Sequence, residues 1–384
     1  MLLEPAPALR GDERRPLRIL HIVQHLKSGG AETFVRGLAS GLRADPGLEV
    51  RILSLYPDAL DDLERTALGV PVVSLDRRGR ADVVRFYPRL VRAIRDARPD
   101  VVHAHLHAGK YAGRIGAIVA GVPAIVFTEH GDEARGALRR FANAALHPRT
   151  NRFVVFDEAQ RRAFAAREGV PLERIVVIRN GVAEPPVAER AAIRRELDLP
   201  DDAFALYLPA RMTAQKNHAL AVRAFARAFG GDPRMRLILA GSGPLEGEIR
   251  ASARELGLGE RIRFLGFRDD APRVMRGMDL FVMSSAWEKM PLALGEAMRA
   301  GLPVVTTPWD GADAFVIDDV TGIVAVDSSV RAFAEALVRA LPEATRARIA
   351  RNAFAYARDA YSLEVSIARH AALYRDVARE SVAR

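Results

Sequence analysis

At 384 residues, 49% hydrophobic and 27% charged, the chain has a globular composition and more length than one core comfortably serves, so two domains are expected. The absence of cysteine excludes disulfides and thiolate chemistry. A net charge of +9, largely arginine and without a recognisable nucleic-acid module, argues against nucleic acid as a partner.

Residues 1–16 are rich in Pro and charge and lack a continuous apolar run, so a disordered tail rather than a signal peptide is expected. No apolar stretch approaches the roughly 20 residues of a membrane-spanning helix, and a cytoplasmic location is expected. From Leu17, β-rich runs alternate with helical patterns such as Thr33–Arg43 and Val83–Ala97, the pattern of a doubly wound α/β architecture. Strands are predicted at Arg18–Val23, Val50–Leu55, Val72–Leu75, Val101–His105, Ala124–Thr128, Phe153–Val155 and Ile175–Ile178, giving a first domain over 17–183.

Within it, Gly29 and Gly30 follow the first strand and open a helix, where backbone N–H groups can approach a phosphate; an ordinary turn is the plainer reading. His103, His105 and His107 alternate, so their side chains are expected on one face. Three such histidines have zinc-ligand chemistry, but no carboxylate cluster accompanies them, and no metal site is expected. At least one should line a cleft. His130, just past the strand Ala124–Thr128, is placed to bond a sugar hydroxyl or move a proton; a solvent-facing loop histidine is the equal alternative. The densest basic stretch, Arg135–Arg152, reads as a solvated helix face or as a surface for anionic lipid or an acidic acceptor.

Residues 184–202 have the Pro and charge content of an interdomain connection. A second domain over 203–361 follows, with strands predicted at Phe204–Leu208, Arg236–Ala240, Arg261–Leu265, Leu280–Met283, Val304–Thr306 and Gly322–Val326. Arg211 and Lys216 follow its first strand directly, where cations would stabilise charge gathering on a departing phosphate. Gly241–Pro244 (GSGP) is a tight strand–helix turn. It is not a dinucleotide fingerprint, because Glu246 stands where a third glycine belongs. No D-x-D arrangement suggests a divalent cation, and Asp269–Asp270 reads as a turn or cap. Residues 362–384 predict one amphipathic helix packing back on the first domain.

Ser284–Val305 is the most informative segment. Glu288 lies in the loop after an apolar strand, and Glu296 on an otherwise apolar helix predicted to begin at Pro291 and end before Gly301. Glu296 should stand roughly 6 Å along the axis from the helix start, whose free N–H groups form an anion site between the two acids. Acid, N–H donors, acid suits a ligand built as hydroxyls, phosphates, hydroxyls. A nucleotide sugar is such a ligand.

Together these residues make the chain resemble the retaining, nucleotide-sugar-dependent glycosyltransferases of family 4, from Leu17 to the last helix. The most specific element is E-x7-E, Glu288 to Glu296, supported by Arg211 with Lys216, GSGP, Gly29–Gly30, Asn180–Gly181 and Thr321–Gly322. The resemblance implies the GT-B fold, two Rossmann-like domains facing across a cleft. It implies that Glu288 holds donor-sugar hydroxyls and Glu296 the ribose, while Arg211 and Lys216 hold the diphosphate with backbone near Met290, Pro291 and Leu292. Backbone near Gly241 and Phe267 would meet the nucleotide, and His105 and His130 the acceptor side. No cofactor or metal is implied; the partners are a nucleoside-diphosphate sugar and a glycan or lipid-linked acceptor. Two departures stand out: Lys289 and Met290 where a glycine and an aromatic are usual, and Ala314 where a second glutamate is usual. A nucleotide-sugar epimerase and a non-catalytic nucleotide-sugar-binding protein remain the alternatives.

Overall fold

Each of two sheets is wholly parallel, with helices returning over both faces. The computed structural model describes residues 15–26, 29–58, 60–77, 82–131 and 137–383. The expected tail lies almost wholly outside the described residues, as do Arg135 and the side chains of 137–140 from the basic stretch. The first sheet has the order β3-β2-β1-β4-β5-β6-β7. Its strands are β1 (Leu17–Val23), β2 (Leu48–Ser54), β3 (Val72–Ser74), β4 (Val101–His105), β5 (Ala124–Thr128), β6 (Arg152–Val155) and β7 (Ile175–Val177). The second has the order β10-β9-β8-β11-β12-β13. It comprises β8 (Phe204–Pro209), β9 (Met235–Ala240), β10 (Ile262–Phe264), β11 (Leu280–Met283), β12 (Val304–Thr306) and β13 (Ile323–Val324). Every predicted strand is present, with ends displaced by at most two residues.

Strands buried on both faces read as continuous apolar runs, which is why they were recognisable. In β8, Ala205 and Tyr207 pack into a core that reaches both domains, whereas Leu206 and Leu208 pack on the opposite face of the sheet. Strand order reverses between β1 and β4 and between β8 and β11. In open parallel sheets, ligands bind beyond the carboxyl ends of strands at such reversals.

The connecting segment is more structured than its composition suggests. It carries a helix, Arg190–Glu196, whose Ile193 is fully buried. Arg194 from the same helix donates to the carbonyl of Ala203 at 2.6 Å, fixing the segment to the second domain. The chain returns beside its point of departure: Val182 N–H donates to Tyr361 O at 2.9 Å. A Cβ on Gly181 would lie 2.3 Å from Leu363 Cα, so only glycine lets these two segments pass. Helix Leu363–Val382 then lies against helix Gly30–Leu42 of the first domain. A Cβ at Gly41 would meet Ile367 Cδ1 at 2.1 Å, and Arg375 pairs with Asp45 at 2.5 Å.

Candidate active site

Immediately after β8, residues 211–217 fold into a compact turn. Lys216 and Asn217 N–H both donate to Thr213 O, and Asn217 takes the left-handed conformation (φ 44°) that asparagine tolerates. Asn217 also caps helix His218–Phe229 through Leu220 N–H. The turn aims Lys216 at the loop that follows β11, where Lys216 Nζ meets Glu288 Oε1 at 2.5 Å. Three further bonds join the loops: Ala286 N–H to Gln215 O (2.8 Å), Gln215 Nε2 to Trp287 O (3.0 Å) and Ser284 Oγ to Lys216 O (2.9 Å). Cation and first carboxylate thus sit at the carboxyl ends of β8 and β11, the strand-order reversal. Arg211 is exposed, with no ion pair or hydrogen bond to its guanidinium among the described residues.

The second carboxylate stands on helix Leu292–Arg299, which begins one residue later than predicted because Pro291 adopts an extended cap conformation (ψ 98°). Gly301 (φ 76°) ends the helix, with Leu302 N–H bonding to Ala297 O and Gly301 N–H to Met298 O, a Schellman arrangement. Gly295 brings the helix against Tyr361; a Cβ there would lie 2.2 Å from the ring. Pro291 supplies no side-chain cap, so the first-turn N–H groups face the cleft unsatisfied by the helix itself. Glu296 is partly buried, without a hydrogen bond or ion pair among the described residues, and burial pushes its carboxyl up to about 7. The Tyr207 hydroxyl, within electrostatic reach of Glu296, is buried and unpaired among the described residues.

At the far end, Gly241 (φ 136°) must be glycine: a Cβ would sit 2.1 Å from Ala210 O. Its N–H donates to Gly266 O at 2.6 Å, placing exposed Phe267 beside the GSGP turn. Asp270 pairs with Arg268 (2.7 Å) and Arg273 (2.8 Å), so its carboxylate is engaged within the turn that the sequence implied.

The first domain supplies the opposite wall. A Cβ on Gly30 would be 3.6 Å from Leu292 Cδ1, so the starts of two helices, Gly30–Leu42 and Leu292–Arg299, face each other. Gly29 gives the first no side-chain cap. Glu32 folds back over it, where burial raises the carboxyl, partly offset by its own N–H, His25, Arg36 and, across the cleft, Arg211. Glu32 carries no expectation from the sequence, although an acid two residues after the paired glycines is a usable signal.

His130 lies past β5 as expected, half-buried, with its imidazole pushed down to about 3 by burial and so neutral near pH 7. His105, expected on the acceptor side, is fully buried and does not reach the cleft; it bonds His130 at 3.3 Å and His21 at 3.0 Å. The shared face therefore holds His21, His103 and His105, since β4 ends at His105 and His107 turns away against Tyr111 (5.3 Å). These three offer nitrogens within 4.8 Å of one another. Both nitrogens of His103 are already taken, by Tyr374 (2.6 Å) and Thr128 (2.7 Å), so a hydrogen-bonded core accounts for the cluster. Beside His130, buried Lys110 pairs with Glu129 at 3.0 Å, a contact between β4 and β5 loops that no local pattern announced.

The profile described as "Glycosyltransferase Family 4" matches residues 28–184, and that of "Glycosyl transferases group 1" matches residues 189–356. An Escherichia coli UDP-Gal:alpha-D-GlcNAc-diphosphoundecaprenol alpha-1,3-galactosyltransferase is 26% identical over 65% of this chain and 68% of its own length. The putative glycosyltransferase EpsF of Bacillus subtilis is 28% identical over 75% and 78%. Among solved structures, Anabaena HepE in complex with UDP and glucose superposes with a TM-score of 0.80 at 22% identity, covering 94% of this chain and all of that one. WaaG, a glycosyltransferase involved in lipopolysaccharide biosynthesis, gives 0.74 at 19% identity over 93% and 99%. The two-domain fold is the GT-B fold.

Proposed function

The chain belongs to the group 1 glycosyltransferases, and from that premise we propose that it transfers a sugar from a nucleoside-diphosphate donor to an acceptor hydroxyl, with retained anomeric configuration, in glycan or glycolipid assembly. The observation that carries this reading is the Lys216–Glu288 pair at the β8/β11 reversal, beside an uncapped helix start and an unpaired Arg211. Donor diphosphate would lie against the Leu292 N-terminus between Arg211 and Lys216, its sugar toward Glu288 and its ribose toward Glu296. The anomeric carbon–phosphate oxygen bond breaks as the acceptor oxygen attacks from the same face, and the acceptor proton passes to the departing phosphate. No carboxylate acts as covalent nucleophile in this scheme, and no metal is required: two cations and helix N–H groups offset the developing charge. His130, neutral and held by His105, would serve as a hydrogen-bond partner for sugar or acceptor hydroxyls.

A thermal-shift panel of nucleoside diphosphates and their sugars tests the donor class, because a ligand of the folded state raises apparent stability by mass action. Lys216→Ala should depress kcat by about 10²-fold with much less effect on nucleotide affinity. Unchanged transfer kinetics in that variant, or a panel in which no nucleotide raises the melting temperature, would remove the assignment.

A further inference from the structure

The donor-side loop is held from two domains, and only one of those holds belongs to the scheme above. Residues 286–288 are fastened by Gln215 and Lys216 of their own domain. The next peptide is not. Lys289 O accepts from Gln160 Nε2 at 2.8 Å, and Gln160 stands in the first domain, on helix Glu158–Glu168 after β6.

That amide has no freedom left. Its second Nε2 proton goes to Asp157 Oδ2, and Oε1 receives Phe156 N–H at 3.4 Å. Asp157, itself buried, caps the helix by accepting Gln160 N–H at 2.7 Å. Opposite, Gly131 (φ 102°) leaves the space into which Lys289 packs; a Cβ there would lie 2.7 Å from Lys289 Cγ. The first domain therefore offers a shaped seat and an oriented donor to one peptide, and that peptide joins Glu288 to the Leu292 helix start.

We propose that Gln160 is a positioning residue for the reaction: by holding Lys289 O it fixes Glu288 and the first turn of Leu292–Arg299 against the first domain when the cleft is closed. This rests on the donor-site reading above. An amide suits the task because it gives one proton to Asp157 and one to the carbonyl at once. A carboxylate there would face two acceptors and repel both, whereas its protonated form could donate to one.

The test uses the full chain with Gln160→Leu and Gln160→Glu. Because the chain has no cysteine, a dye pair on Arg162→Cys and Glu255→Cys, both exposed, reports the distance between domains without ligand. Both variants should lengthen that distance at about pH 8, and Gln160→Glu should recover toward wild type at about pH 6 while Gln160→Leu does not. Amide exchange should quicken at 286–292 but not along helix Glu158–Glu168. With UDP as probe, affinity should stay within about threefold, while hydrolysis of UDP-glucose in the absence of acceptor should fall about tenfold or more. An unchanged dye distance, or faster exchange confined to helix Glu158–Glu168, overturns the proposal. Failure of UDP to bind wild type counts against the donor-site reading instead, and the dye distance still decides the role of Gln160.

Discussion

Glu288 and Glu296 share a residue type and differ in circumstance. The first is locked to Lys216; the second is partly buried among apolar atoms and titrates near 7 instead of near 4.5. A raised carboxyl pKa means that the folded chain keeps a proton which the unfolded chain has lost. Glu296 therefore reduces stability progressively as pH rises from about 4.5 to about 7, by about 3 kcal/mol in total. Ribose hydroxyls donate, so they favour the ionised form. Affinity for a nucleotide sugar, whose diphosphate does not titrate in this range, should rise with pH through about 7 and then level. Glu296→Gln should remove that slope and weaken binding about tenfold, measured by calorimetry at several pH values; an unchanged slope would show that another group is responsible. Glu296 was legible as a carboxylate on an otherwise apolar helix, and Glu288 by its place eight positions earlier in the loop after an apolar strand. Gln160 and the Lys110–Glu129 pair were not, since their meaning comes from partners 129 and 19 positions away in the chain. At Ala314, the backbone carbonyl receives Arg179 (2.7 Å) and Tyr356 (3.0 Å), bonds that a glutamate there would accept equally, so nothing in the structure explains that departure.

The strands were legible because burial on both faces makes them apolar throughout, and their ends because turn residues follow them directly. The connector helix Arg190–Glu196 was missed: a single buried isoleucine and arginine bonds to carbonyls leave no periodic signature. Of the histidines expected on one face, His103 and His105 share it and His107 does not; their depth was not legible, and β1 contributed His21 unannounced. Burial drives His21 and His130 to about 3 and His370 to about 4, with His103 and His105 also well below 6.5. Each of these binds its proton more readily in the unfolded chain. Stability should therefore fall as pH drops below about 6.5, by up to about 1.4 kcal/mol per pH unit for each histidine, continuing to about 4 for His370 and to about 3 for His21 and His130. Melting temperatures measured from pH 7 to 5 should decline steeply, and His21→Gln should flatten the decline. A flat profile in the parent chain would mean that these imidazoles are not held neutral.

In the whole molecule, the passage of residues 180–182 against 361–363 decides how the two halves are joined. The added methyl of Gly181→Ala would meet Ser362 O at 2.4 Å and Leu363 N at 2.5 Å, backbone atoms that cannot step aside as a side chain could. That substitution should cost about 1–3 kcal/mol, the usual range for overpacking, and lower the urea midpoint. Gly121→Ala, with open space around it but a φ of 78°, serves as a control for backbone strain alone. Gly181 itself is not in the left-handed region, so an unchanged midpoint in Gly181→Ala would show that crowding at the crossing is immaterial. In the sequence, Asn180–Gly181 is one of the features that carry the family resemblance. Its cause, a close approach of two backbones 180 positions apart, needed the fold.

Because the chain leaves and re-enters the first half at neighbouring atoms, the second sheet with its helices is topologically an insert. Two adjacent cuts would release it whole, and a counterpart with ends equally close could be grafted into the same seam. Under the donor and acceptor assignment proposed above, either half is exchangeable as a cassette without rerouting the other.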